Sequence, residues 1–338
     1  MSEQEPVKKK RGCLGCSLPI AITITVLALA LFIIGFLSGP LGQSFFKGIN
    51  MPDWLKVPTP SVELPAEVLF HIGSGTPILV FGQQIYPFPV TNTILTTWIT
   101  LIVLALIFIG LSYRSKIVPG KFQGMVESIL EWVYNLCKDV AGEKAGASFF
   151  PIIVTIFLLV LFNAWMGLIP GFGSILVHSE EGSFPLLRGA NTDINTPLAI
   201  ALISFVFVTY VGLASGGFRW VKQFVNFGRF FRGWGKVFTG KFKGAFGDIG
   251  YGFIDAFVGG LEAISYIFRI FSFTFRLFGN MTGGEILVLM FLFLFPFVIV
   301  LPIYGLELLV GAVQALIFAG LTLVFAAIAV MPHEDEGH

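Results

Sequence analysis

Charge is scarce in this chain. Of its 338 residues only 12% are Asp, Glu, Lys or Arg, while 55% are hydrophobic. Water-soluble domains are not built from such a mixture, so a soluble fold is excluded. Net charge is scarce as well: 21 Lys and Arg against 20 Asp and Glu leave +1, which offers no bulk field to nucleic acid. Cysteine is rare. Cys13, Cys16 and Cys137 give no disulfide framework, and the CxxC formed by the first two lacks a second ligand pair for zinc. The pattern GxxxxGK[ST] is absent, so the chain has no P-loop for a nucleotide. No repeat of about 20–50 residues and no inverted half is visible.

What the chain has instead is long apolar sequence. Mean hydropathy is +0.86, and the composition includes 38 Phe, an excess that composition alone does not explain. The expected fold is an all-α integral membrane protein with about six membrane helices and one interfacial amphipathic helix.

The charges that exist mark the topology. Residues 1–17 are polar and carry the run Lys8 to Arg11, which places the N-terminus on the cytoplasmic side. Pro19 to Leu37 is a first span, longer than a usual signal-peptide core and without a clear cleavage site, so it reads as an anchor. Residues 39–90 form a Pro- and Gly-rich outer segment, with short β-like runs that suit a small hairpin. Thr91 to Leu111 is the second span. Arg114, Lys116 and Lys121 follow it on the inner side. Phe122 to Val140 puts Met125, Ile129, Trp132, Val133 and Leu136 on one face, as an interfacial helix would. Phe149 to Ile169 is the third span and contains Asn163. The outer loop 170–196 holds Glu180, Glu181 and Asp193 against Arg188, and Pro197 to Ala214 is the fourth span. Between 216 and 250, seven Lys or Arg face one acid, Asp248. That run satisfies the positive-inside rule without invoking nucleic acid. Two long apolar stretches, about 251–292 and 297–330, complete six crossings, and the tail 331–338 is solvated. Each stretch exceeds what a bilayer needs, so either it tilts strongly or its ends protrude. Residues 91–250 thus make three spans with an interfacial helix and a basic inner loop, and 251–330 a long helix hairpin. Both ends lie inside.

The chain is organised around residues 264–288, ISYIFRIFSFTFRLFGNMTGGEILV. This apolar helix carries Arg269, Arg276 and Glu285. A charge at bilayer depth costs at least a few kcal/mol and usually marks function. Arginine cannot discharge to escape that cost. Asp255, Glu262, Arg269 and Arg276 recur every seven residues, two turns less about 20°, so they form one slowly drifting stripe. Asn280 stays near that stripe, while Glu285 falls about half a revolution away from Arg276. In the last helix Glu307 and Gln314 are again seven apart.

The polar groups therefore fall into two clusters. An outer one contains Asn280, Glu285, Glu307 and Gln314. An inner one contains Asp255, Glu262 and Ser272. Arg276 lies between them. Antiparallel pairing of the last two helices would bring Glu285 and Glu307 together, and two such carboxylates titrate as a coupled pair. A permanent cation between two half-paths stops them joining, so a mobile carrier has to complete the route. Gly279, Gly283 and Gly284 allow close approach of another backbone, from within the chain or outside it.

At these residues the chain resembles subunit a of the F-type ATP synthases. The segment FRLFGNMTGGE at 275–285 matches the family's signature around its essential arginine. VPGKFQ at 118–123, FNAWMGLIPG at 162–171, NTDINTPLAIAL at 191–202 and VQALIFAGLT at 313–322 agree in order and spacing. The resemblance covers about residues 90–330. It implies that Arg276 is the essential arginine. It also implies that Asn280, Glu285, Glu307 and Gln314 line an outer half-channel, with Glu262, Arg269 and Ser272 in an inner one. Asp255, Asn163 and Asp193 are secondary candidates. The implied partners are a c-subunit ring, b-type peripheral stalk subunits and the rest of the synthase, in a bacterial plasma membrane. No cofactor and no metal is implied. Where the family has His at the position of Glu307, a carboxylate stands here. The span at 19–38 goes beyond the five-span bacterial pattern, as an added anchor or a cleaved leader. A proton-coupled secondary transporter is the rival reading. It would need its own substrate cavity. A passive scaffold, the third, predicts that neutralising Arg276 is harmless.

Overall fold

The structure is a computed structural model that describes residues 18–45, 66–71, 78–80, 83–85, 89–169, 171–179, 182–217, 220, 245–295, 297–298 and 300–330. The basic run 8–11, the Cys13/Cys16 pair, Glu180, Glu181, most of the basic loop 216–250 and the tail 331–338 lie outside them.

Eight α-helices are described: α1 (Leu18–Ser38), α2 (Pro40–Phe45), α3 (Asn92–Arg114), α4 (Lys121–Ala141), α5 (Glu143–Met166), α6 (Asn195–Gly216), α7 (Ala245–Leu294) and α8 (Val300–Val330). Six of them, all but α2 and α4, are long and apolar enough to cross a membrane. The expected all-helical membrane fold is therefore present. The strands are short and confined to loops. β1 (Val68–His71) pairs antiparallel with β4 (Pro89–Thr91), and β2 (Ile78–Val80) pairs with β3 (Gln83–Ile85) between them. The hairpin anticipated before α3 is thus two nested ones. β5 (Leu176–Ser179) and β6 (Gly182–Pro185) form a third hairpin between α5 and α6.

Several helix ends follow from single residues. Thr91 caps α3 by accepting a hydrogen bond from the Ile94 amide at 3.3 Å. Gly142 closes α4 with φ of 80°, its N–H donating to the Lys138 carbonyl at 2.8 Å, and α5 starts at the next residue. That tight turn explains why α5 begins at Glu143 rather than near Phe149. Beyond Met166 the chain leaves the helix through turns at Gly167 and Leu168, three residues before the expected Ile169. Gly146 lies on the Cys137 carbonyl, where any β-carbon would collide. α4 then packs along α5 through Ile129, Val133, Leu136, Cys137 and Val140. Met125 and Trp132 stay exposed. The apolar face of α4 is thus split, because α5 covers only one side of a wide stripe.

Two compact units divide the chain: residues 1–63 with 283–307, and residues 64–282 with 308–338. In the larger unit, α5 and α6 contribute large aliphatic and aromatic side chains, including Ile153, Val160, Ile200, Phe207 and Val208. α7 contributes Phe273, Leu277 and Met281. α8 contributes a stripe of small residues, Ala315, Ala319, Ala326 and Ala329, interleaved with Phe318 and Leu323. Small residues let membrane helices approach closely where no hydrophobic drive exists between them. Ser204 and Thr322 join α6 to α8 by a hydroxyl pair 2.7 Å apart. Part of the phenylalanine excess is explained here. Phe149 meets Phe207 edge-on at 5.6 Å, and Phe273 meets Phe318 at 4.6 Å. Rings supply large contact area between helices at low rotamer cost.

In the smaller unit, α1 is exposed on almost every side. It is packed near its C-terminal end. Gly35, Ser38 and Gly39 are buried, Phe36 stacks on Phe295 at 6.3 Å, and Gly39 lies against the Leu294 carbonyl.

Candidate functional site

α7 runs unbroken for 50 residues, about 75 Å at the helical rise. Its buried face is centred on Leu277, with Phe273, Ile270 and Met281 around it. At about 100° per residue, Arg276, Arg269 and Asn280 fall along one flank of that face. The sequence-derived stripe is therefore a border between packed and uncovered surface. Arg276 is half-buried, with its guanidinium 5.9 Å from the Phe273 ring centre. Arg269 is also half-buried, 3.8 Å over the Phe325 ring and 5.1 Å from that of Tyr266. Glu262, Ser272 and Asn280 are exposed, and Asp255 is half-buried.

Gln314 of α8 is buried, at 7% exposure. Deep burial of an amide inside an apolar helix calls for a polar environment around it. In the smaller unit, Glu307 is 6% exposed and its carboxylate is seated directly on Gly284. A β-carbon there would push the Glu307 carboxylate aside. Glu285, the next residue, is half-buried. The structure therefore brings Glu307 to the backbone one residue before Glu285.

Asn163 of α5 is fully buried, and its amide donates to Asn191 Oδ1 at 3.5 Å. Asn163 Oδ1 and Asn191 Nδ2 have no hydrogen-bond partner among the described residues. Asp193 is buried and occupied. It accepts from Thr93 Oγ1 at 3.0 Å, and from the backbone N–H of Asn195, the first residue of α6, at 3.2 Å. These groups belong to a buried polar seam with Asn92, Thr93, Thr96, Thr100 and Thr192. Sequence reasoning passed over the α3 members, although Thr93, Thr96 and Thr100 recur at helical spacing inside an apolar run. It also passed over Tyr266, whose hydroxyl meets Thr209 at 3.0 Å.

Fold and site together define a polytopic helical membrane protein whose last two helices carry ionisable and amide groups within their apolar lengths. Residues 94–327 match the family described as the ATP synthase A chain. The chain belongs to this family. It is similar to the ATP synthase subunit a of Gloeobacter violaceus, 30% identical over 277 residues, covering 82% of this chain and 94% of that relative. The ATP synthase subunit a of Geotalea daltonii is 30% identical over 247 residues, covering 73% and 89%. That of a Sulfurihydrogenibium species is 27% identical over 230 residues, covering 68% and 92%. α1 precedes the matched residues.

Proposed function

We propose that this chain conducts protons in two offset half-paths beside a rotating ring of c subunits, and so couples proton flow to ATP synthesis. The observation that carries the proposal is the uncovered polar flank of α7. Glu262, Ser272 and Asn280 are exposed on a helix of membrane-spanning character, with Arg276 half-buried among them. Lipid tails cannot satisfy such groups. A partner surface with ionisable groups of its own suits them, as a ring of carboxylate-bearing helices would.

A proton arrives from the outer side through Glu285, Glu307, Gln314 and Asn280, with Asn163 and Asp193 as further members. It neutralises a ring carboxylate, which then turns into lipid. After nearly a full revolution the proton leaves past Ser272, Glu262 and Asp255. Arg276 attracts the ionised carboxylate and keeps the half-paths apart. Each proton gains about 2.3 kcal/mol per 100 mV of membrane potential, so several are needed per ATP. The assembly includes b-type stalk subunits and sits in a bacterial plasma membrane, with both ends of this chain cytoplasmic.

Arg276→Ala tests this in vesicles containing the whole complex. ATP-driven acidification is lost, while passive proton flux after stripping the catalytic head is retained or raised. Normal pumping by the variant overturns the proposal.

A further inference from the structure

Arg269 stands out because of how it is held. Its guanidinium lies 3.8 Å over Phe325 of α8 and 5.1 Å from Tyr266 of its own helix. Tyr266 reaches α6 twice, through its hydroxyl to Thr209 at 3.0 Å and through its ring to Phe205 at 4.9 Å. One turn on, Phe273 stacks on Phe325 at 6.1 Å. A cavity of about 20 Å³ beside the guanidinium is lined by Ser204, Phe205, Tyr266, Ile270 and Phe325. That is room for about one water, within reach of polar groups that can hold it. A permanent cation is thus accommodated in an apolar bundle by two ring faces and a hydration pocket.

We propose that Arg269 is a positioning residue, whose aromatic cage fixes the rotation of α7 about its axis and so sets the direction in which Arg276 leaves the helix. Arg276 lies two turns further along the same flank, so a twist of α7 at Arg269 reappears at Arg276. Arg269 itself relays no proton, because a guanidinium does not release one. The resemblance put Arg269 in the inner half-channel; here it holds the helix that carries that channel. The inference rests on the proposed role of Arg276.

The test compares Arg269→Met, Arg269→Lys and Phe325→Leu with the parent in vesicles of the whole complex, with Arg276→Ala alongside. Subunit content is matched by immunoblot. Arg269→Met should cut ATP-driven pumping by up to about a hundredfold, as misplacement of a positioned group can, and raise passive proton flux. Arg269→Lys should restore most pumping, since an ammonium also sits over a ring. Phe325→Leu leaves the charge and removes the ring, and covers the case in which Arg269→Met fails to assemble. Rotation is read separately. Ser272→Cys, in a chain with Cys13→Ser, Cys16→Ser and Cys137→Ala, is labelled with a water-soluble maleimide, and Phe325→Leu should change its rate several-fold. Unchanged labelling with unchanged pumping overturns the proposal. Loss of pumping and passive flux together, without rescue by lysine, also overturns it by placing Arg269 on the path. Normal pumping by Arg276→Ala would instead remove the underlying function.

Discussion

The absence of a side chain at Gly284 is what admits the Glu307 carboxylate. Gly284→Ala should therefore displace that carboxylate and reduce ATP-driven proton pumping several-fold. Adding the shorter Glu307→Asp should recover part of the loss. Strict additivity of the two changes in a double-mutant cycle would contradict the contact. Cys137 provides a check on packing. It is 0% exposed, and burial pushes its thiol up to about 11. In a chain lacking Cys13 and Cys16 it should resist maleimide at pH 7–8, where about one thiol in a thousand or fewer is ionised. It should react promptly after denaturation. The charged residues were legible one by one, because Arg276 or Glu307 in an apolar run is conspicuous. Their supports were not. Gly284 read as a packing glycine among others, and Asp193 as a loop acid, because a seat for Glu307 or a bond from Thr93 exists only once distant segments meet.

Between elements, close approach depends on a few small or hydroxylated residues. The α4–α5 turn tolerates only glycine at position 146, where a β-carbon would strike the Cys137 carbonyl. Gly146→Val should cost on the order of 1–3 kcal/mol, as overpacking does, and lower the thermal midpoint of the purified complex. Ser204 and Thr322 form a buried hydroxyl pair between α6 and α8. Thr322 also donates to the Phe318 carbonyl at 2.8 Å, so Ser204→Ala leaves it bonded and should cost only on the order of 1 kcal/mol, read as a small drop in the thermal midpoint of the complex. Hydropathy revealed the spans well, to within a few residues for α1, α3, α6 and α8. The start of α5 was missed by six residues, since Glu143 and Lys144 look like loop until the Gly142 turn is known. The split face of α4 was also hidden. Periodicity shows how wide an apolar stripe is, not which part of it a neighbour covers.

Across the whole molecule, α1 has little packing within its unit apart from its C-terminal end, and it lies outside the residues matched to the family. Deleting residues 1–34 should leave the thermal midpoint of the assembled complex unchanged. A large drop would show that α1 has a structural role elsewhere in the assembly. The six candidate spans were readable because a bilayer sets a minimum of about 20 apolar residues, which each one meets. The 50-residue extent of α7 was not, because Gly247, Asp248 and Gly250 at its start interrupt the apolar run and look like loop. Its attachments add a mechanical consequence. A stator that resists a turning rotor takes sideways force where the two touch, which on this reading is Arg276. The rings of Tyr266 and Phe273 fasten α7 to α6 and α8 only three to ten residues before that point, a lever arm of about 5–15 Å at the helical rise. The deflection of a clamped beam grows as the cube of its free length. Leu277 and Met281 hold α7 beyond that point as well, so on the proposed reading the loaded stretch is short and stiff, and little of the torque would be lost in bending the helix.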